Sequence, residues 1–483
     1  MKKQTILLLL IVLFSFILRL VIAFQSDYFA DDDAYSNLRL IEMIKEKKSL
    51  VTYDPLSYGG RDIIRPQLFH GVMALLSFIP FSLKLLPEVF ISALPIIVYL
   101  ISLELTKDKN SSVITAFISS FIPIVFSSTV NQISVYSFVL PLMLLMFYSL
   151  LRINDTRFLI FFIVMSFVMP WIHPSAFVFI ISLLFYIVLM VSESMSLSGI
   201  RKEAITFSFF SMLLVSMILF RRVFLQYGTS IVRQNIPDLA FDYYFSNFSL
   251  SSSLLIVGVI PLVFGIFGVY YGLHGRRKKD VLLLISPILA TFLLLLLKMI
   301  DISSGILFLG VFLTLMTSFS IRRLLNYFSI TKLSRYYSPF VAVFIVVIAV
   351  LGVVPSIYYY ENELEGKYNV DDLKFIAEAE ENNAVVLSSF DEGNIVSYFT
   401  GKKNFVDTNF LLAPSPIQRL GDAEVVYKTF SESKALEIMK RHNIKYILIS
   451  ENTKQTYGID RILYVGDLSC FKHERETIYK VVC

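Results

Sequence analysis

The apolar run from Ile6 to Phe24 is interrupted only by Arg19 and a few small polar residues. It is long enough to cross a bilayer, which takes ~20 residues. Ten further runs follow, at roughly 87–104, 112–127, 135–151, 157–170, 174–192, 204–220, 253–273, 281–299, 303–320 and 339–356. In hydrocarbon each backbone N–H and C=O must be satisfied within its own segment, so a chain patterned this way folds as an α-helical polytopic membrane protein. Composition agrees: 56% of the 483 residues are hydrophobic, Phe alone numbers 44, and mean hydropathy is +0.69. Lys2 and Lys3 before the first run give it the outline of a signal peptide. It lacks a small-x-small cleavage site and is long, so it reads as an uncleaved anchor.

Connections rich in Lys and Arg belong on the cytoplasmic side. Lys107 with Lys109, Arg152 with Arg157, Arg201-Lys202, Arg276 to Lys279 and Arg322 to Arg335 all fall there when the N-terminus is inside. The condition is that Leu68 to Phe81 does not cross. That segment is short, contains His70 and is bounded by Pro66 and Pro80, as suits an interfacial helix. The expectation is about eleven spans in the cell membrane, with the N-terminus cytoplasmic and the C-terminus extracytoplasmic. Residues 1–356 form the transmembrane domain, with long external loops at 25–86 and 221–252. Arg221-Arg222 then fall outside and break the rule.

Residues 357–483 carry 15 Lys/Arg against 20 Asp/Glu, leaving 28 against 18 for the remainder. This tail reads as a soluble extracytoplasmic α/β domain. A helix runs from Asp371-Asp372 to Asn382, then a strand from Ala384 to Leu387 and a turn at Asp391-Glu392-Gly393. Helix Ser431 to Arg441 leads into strand Lys445 to Ser450, and a last strand spans Thr477 to Val482. Cys470 and Cys483 are the only cysteines; an extracellular disulfide and a pair of free thiols are equally open. Nucleic acid is excluded as a partner, because the basic residues are scattered through short loops rather than gathered on one surface.

Asp31-Asp32-Asp33 stands just after the first span. Adjacent carboxylates repel one another and are costly near lipid. A bare solvated turn tolerates them; a functional cluster would act as a general base or hold a divalent cation.

The loop reads Phe29-Ala30-Asp31-Asp32-Asp33-Ala34-Tyr35, followed by Tyr53-Asp54-Pro55-Leu56-Ser57-Tyr58-Gly59-Gly60. It resembles the first external loop of GT-C glycosyltransferases, above all the catalytic subunit of archaeal and bacterial oligosaccharyltransferases. The resemblance places Asp33 and Tyr35, here with one residue between them instead of two, where the family has its Asp-x-x-Tyr element, and Leu68 to Phe81 as its membrane-hugging helix. It extends through Pro80-Phe81-Ser82, Glu104, Val139-Leu140-Pro141 and Trp171-Ile172-His173-Pro174-Ser175. In the tail, Ser389-Phe390-Asp391-Glu392-Gly393 stands where the family has Trp-Trp-Asp-Tyr-Gly. The departures are as informative. The second acidic pair maps onto Gln132 and Ser134, the metal-linked Glu onto the region of Arg233 and Gln234, the pyrophosphate-binding Arg onto Leu307, and both tryptophans are lost. Four degraded elements argue against Asn-linked oligosaccharide transfer and fit a relative with another donor or acceptor.

What the resemblance implies is transfer of a sugar from a polyprenyl- or dolichyl-phosphate carrier to a glycan, lipid or protein acceptor on the outer face, with inversion. Asp33 is the expected base, with Asp32 or Asp31 orienting it or raising its pKa. Arg39 either binds substrate or neutralises the cluster structurally. Phosphate candidates are Arg61, Arg65, Arg221, Arg222 and Arg233; any single one reads first as a headgroup-facing arginine, and some member of the set as the phosphate ligand. His70 contacts substrate or sits on a polar helix face; His173 lines the cavity or caps a helix; Asp391 binds acceptor or starts a turn with Gly393. No cofactor is expected, Mg²⁺ or Mn²⁺ at Asp31 and Asp33 being the alternative. The rival functions are a divergent oligosaccharyltransferase and a non-catalytic membrane protein or transporter. A transporter would carry charges or broken helices at mid-membrane, whereas Arg19 and Lys298 lie near expected span ends.

Overall fold

The structure is a computed structural model describing residues 2–245, 255–275, 277–364, 369–381, 383–465 and 470–483. Arg276 and Asn382, named above, lie outside them. The chain divides into two compact units. One comprises Met1–Tyr28, Pro66–Arg221 and Tyr244–Asn362; the other comprises Phe29–Arg65, Arg222–Tyr243 and Glu363–Cys483. A single boundary at residue 356 does not describe this division, because residues of both expected external loops fold with the tail.

The first unit is helical. Among the described residues six helices are long and apolar enough to cross a membrane: Lys3–Ala23, Ser82–Thr106, Gly199–Leu219, Lys278–Leu296, Ile302–Ile330 and Ser338–Glu361. Tyr136–Leu151, Thr156–Ile172, Ala176–Ser192 and Val259–Leu273 are apolar but shorter. The expected run 112–127 is broken. Helix Lys109–Ser120 stops, and a short helix restarts at Pro123–Ser127. Pro123 has no N–H to continue the ladder and holds Ile122 extended, at ψ 118°. Twelve helical residues rise only about 18 Å, against a hydrocarbon core of ~30 Å.

Close packing between membrane helices depends on small residues. Val259–Leu273 lies against Ile302–Ile330 through Gly265 and Gly268; a Cβ at Gly268 would sit 1.9 Å from the Met316 carbonyl oxygen. Arg19, near the end of its helix, is fully committed. Its Nε donates to Glu88 Oε2 at 2.7 Å and its Nη2 to Thr129 Oγ1 at 2.6 Å, while the Asn131 N–H donates to the other Glu88 oxygen at 3.0 Å. A buried charge pair needs this degree of satisfaction to survive. At another place the basic connections meet: Glu104 accepts from Lys107 and Arg277, Arg201 pairs with Asp280, and Lys278 with Glu193. The segment after Pro66 forms helix Leu68–Leu76, which buries Phe69 and Met73 while Leu75, Phe78 and Phe81 stand exposed.

In the second unit a hairpin pairs β1 (Tyr53–Asp54) with β2 (Arg61–Asp62). A five-stranded sheet has the order β4-β3-β5-β7-β6. β3 (Val385–Leu387) runs parallel to β4 (Lys403–Asn404) and to β5 (Ile444–Leu448); β6 (Phe471–Arg475) and β7 (Ile478–Val481) add antiparallel. The helix expected to reach Asn382 ends at Ala377. Glu378, Glu380 and Glu381 follow, and acidic side chains are unfavourable at a helix C-terminus. Helix Glu432–His442 carries Ser431 as its N-cap and precedes β5. Cys470 and Cys483 are joined by a disulfide.

Candidate active site

Three adjacent carboxylates are kept apart by giving each a different environment. Asp31, in extended conformation, is the N-cap of helix Asp32–Lys47, its Oδ1 accepting the Ala34 N–H at 2.8 Å. Asp32 points inward and is buried. Its Oδ2 accepts from Asn394 Nδ2 at 2.7 Å, and its Oδ1 from the Ile395 N–H at 2.8 Å. Ile395 lies in the first turn of helix Gly393–Thr400, where a negative charge is favoured. Burial pushes the Asp32 carboxyl well above the usual carboxylate range, and these two donors pull it back. Asp33 is exposed, and its Oδ1 accepts from the Thr408 hydroxyl at 3.3 Å.

The segment carrying Thr408 is held from beneath by Asp407. Its Oδ2 accepts from Ser57 Oγ at 2.5 Å and Asn404 Nδ2 at 3.1 Å, its Oδ1 from the Asn409 N–H at 2.9 Å, and Arg61 Nη2 lies 3.7 Å away. The Tyr58 hydroxyl donates to the Asp407 carbonyl at 2.9 Å. Gly393 permits the close approach, since a Cβ there would lie 2.1 Å from the Val406 carbonyl oxygen. Asn409 Nδ2 reaches Ser36 Oγ at 3.4 Å, and Arg65 donates to the same residue, to its Oγ at 3.2 Å and its carbonyl at 3.1 Å. Among the described residues the buried Arg65 Nε makes no hydrogen bond. Burial lowers the Arg65 guanidinium to about 10, within electrostatic reach of Asp54, Arg61, Arg39 and Asp33.

Other expected ligands are spent elsewhere. Tyr35 is buried against Phe29, Tyr398 and Phe399, and its hydroxyl accepts the Phe29 N–H at 3.1 Å. Its ring is core, because helical spacing puts it on the face that meets helix Gly393–Thr400. Arg39 does not neutralise the aspartate triplet: it pairs with Asp54, whose Oδ1 also accepts the Leu56 and Ser57 N–H groups and so fixes the Pro55 turn. Arg61 is buried over the Tyr58 ring, donating to Ser57 and the Leu411 carbonyl. Arg222 is exposed and paired with Asp62 at 2.5 Å, and Arg233 lies over the Phe241 ring. Asp391 is buried in the turn Phe390–Glu392, accepting from the Ser389 hydroxyl, and Gly393 begins a helix directly after it. Its neighbour Glu392 is buried and raised by that burial to about 8.

His70, His173 and Arg221 belong to the first unit. His70 is buried beside Phe69, not on a polar helix face, because the helix turns its Leu75 side outward. His173 ends helix Thr156–Ile172; its Nδ1 accepts the Ser175 N–H at 3.1 Å and its ring meets Tyr136. Arg221 is exposed at the start of helix Arg221–Tyr227.

Among the described residues the three carboxylates are engaged one by one. Asp31 is spent on a helix cap and Asp32 on two donors, which leaves Asp33 as the outward carboxylate of the three. Among the described residues no group of three His, Cys, Asp or Glu is placed to hold a metal. Gln132, where the resemblance would put a ligand, donates to the Ser127 carbonyl at 3.0 Å. The residues that surround Asp33 but escaped sequence reasoning are Ser36, Asn394, Thr408 and Asn409. All are uncharged, and three lie more than 350 positions away; only Gly393 beside Asp391 marked the region.

No protein-family model and no curated protein matches the sequence. Among solved structures, the archaeal oligosaccharyltransferase AglB from Archaeoglobus fulgidus, in complex with an inhibitory peptide and a dolichol-phosphate, is similar with a TM-score of 0.68 at 14% identity, over 92% of this chain and 69% of that one. The same protein tethered with an acceptor peptide gives 0.65 at 16% identity, over 93% and 69%. The arabinofuranosyltransferase AftD from Mycobacteria gives 0.55 at 13% identity; 90% of this chain matches about a third of AftD, 35% of its length. At these identities the likeness is one of fold: the chain is folded like AglB over most of its length.

Proposed function

We propose that this protein is a membrane glycosyltransferase that moves a sugar from a polyprenyl- or dolichyl-phosphate carrier to a glycan, lipid or protein acceptor on the outer face of the cell membrane. Asp33 takes the proton from the acceptor as its oxygen or nitrogen attacks the anomeric carbon. The bond from that carbon to the phosphate oxygen breaks with inversion, and the phosphate leaves on the lipid. The observation that carries this reading is the exposed Asp33 carboxylate near Arg65, a guanidinium that donates to Ser36 and keeps a buried Nε with no hydrogen-bond partner among the described residues. A carboxylate to accept a proton and a cation to receive departing phosphate are what the reaction requires. Arg65 is the phosphate ligand of choice, since Arg39, Arg61 and Arg222 already hold aspartates. The loss of both tail tryptophans to Ser389 and Phe390 favours an acceptor other than an Asn-linked sequon.

Eleven crossings, one of them made jointly by the interrupted helices Lys109–Ser120 and Pro123–Ser127, with the N-terminus inside, put Asp33 and the tail outside. The disulfide supports this, since such bridges persist in oxidising compartments. Leu50 and Phe430 are 63% and 81% exposed. Leu50→Cys and Phe430→Cys are both expected to react with a membrane-impermeant thiol reagent in intact cells; protection of either site would overturn the topology.

Transfer proceeds without a metal, the leaving phosphate being stabilised by arginine. Purified protein assayed with a series of lipid-phosphate sugars is expected to keep its activity in excess EDTA and to lose it in Arg65→Ala. Complete loss in chelator, restored by Mn²⁺ or Mg²⁺, would show the aspartates to be a cation site and return the protein toward the oligosaccharyltransferases.

A further inference from the structure

Asn394 and Thr408 join the buried aspartate to the exposed one. Asn394 Nδ2 carries two hydrogens and has two acceptors, Asp32 Oδ2 at 2.7 Å and Thr408 Oγ1 at 3.2 Å. This is the orientation that an ionised Asp32 selects, because a turned amide would set its oxygen against the carboxylate. With its oxygen already accepting from Asn394, the Thr408 hydroxyl directs its hydrogen toward Asp33 Oδ1, at 3.3 Å.

We infer that Thr408 is a positioning residue: oriented through Asn394 by the buried Asp32, its hydroxyl donates to Oδ1 of Asp33 and holds that carboxylate, charged, in the one rotamer that turns it outward. This rests on Asp33 being the base, and it gives adjacent Asp32 a part in the site without touching substrate. A donor to a carboxylate stabilises the ionised form, so it extends the pH range over which Asp33 can accept a proton downward. Among the described residues, the charged and titratable groups that act on Asp33 include Asp31 and Asp32 on its own segment, Arg65, and Tyr243 from the second loop. The aspartates oppose ionisation of Asp33 and Arg65 favours it. Thr408 adds a neutral, directional donor, which leaves net charge at the site unchanged.

The test reads ionisation of Asp33 separately from sugar transfer. Full-length protein in nanodiscs is treated with a water-soluble carbodiimide and glycine ethyl ester across a pH series. Amide formation at each of Asp31, Asp32 and Asp33 is then quantified by fragmentation mass spectrometry. The carboxyl oxygen adds to the carbodiimide carbon and its proton goes to nitrogen, so labelling needs the protonated carboxyl and the midpoint of the labelling curve follows protonation. In Thr408→Val and Thr408→Ala the Asp33 midpoint is expected to rise by about 0.5–1 pH unit, the scale of one hydrogen bond to a charged group. Thr408→Ser, which keeps the hydroxyl, is expected to match the natural protein. Thr408 is partly exposed, so the variants are expected to fold, as their melting curves will show. An Asp33 midpoint unchanged in both Val and Ala variants would overturn the inference. Retention of transfer by Asp33→Asn would instead refute the base assignment while leaving the midpoint result standing.

Discussion

Asp33→Asn is expected to reduce sugar transfer by about 10²–10⁴ with no loss of folded protein, the usual consequence of removing a positioned base. Asp33 is exposed, and Asn preserves its shape. Its neighbours separate the possible causes. Asn is as good an N-cap as Asp, so Asp31→Asn should cost little. Asp32→Asn sets an amide nitrogen against the Ile395 N–H or makes the Asn394 amide turn and give up its bond to Thr408, and is expected to destabilise the fold. Lipid-linked and transferred glycans measured by mass spectrometry beside protein levels by immunoblot would show three distinct outcomes. Natural glycan in an Asp33→Asn strain would remove Asp33 from the mechanism.

Asp407→Ala is expected to produce the largest loss of stability, about 3–5 kcal/mol. That is the range for breaking a buried charge pair from one side. The change orphans Ser57, Asn404 and the Asn409 N–H together and leaves Arg61 buried beside a cavity. Urea-dependent proteolysis of the purified protein, read on fragments from the tail, would measure it. Combining the change with Arg61→Met should recover part of the loss, because the buried cation is then gone. A single variant as resistant as the natural protein would show that the network contributes nothing.

Each aspartate of the triplet looks identical in sequence, and no local pattern separates a helix cap, a buried anchor and an exposed base. Arg39, Arg61 and Arg65 are equally alike as letters. Asp54 and Asp407 claim the first two, and only the third is left beside Ser36. The helices were legible because hydrocarbon enforces length and apolarity segment by segment, a local rule. It failed at 121–122 for another local reason, Pro123. Loops 29–65 and 222–243 read as external connections, yet their contacts lie with the tail.

The sequence by itself determined a helical membrane protein with a mixed α/β tail and a carboxylate cluster after its first span, since these follow from burial periodicity and adjacent charge. Which carboxylate faces outward, which arginine is unspent, and that Asn394 and Thr408 join the site were decided by tertiary structure alone. Hydrogen bonds across more than 350 residues carry no signature in the intervening chain, because an uncharged polar side chain takes its meaning from the partner that folding brings to it.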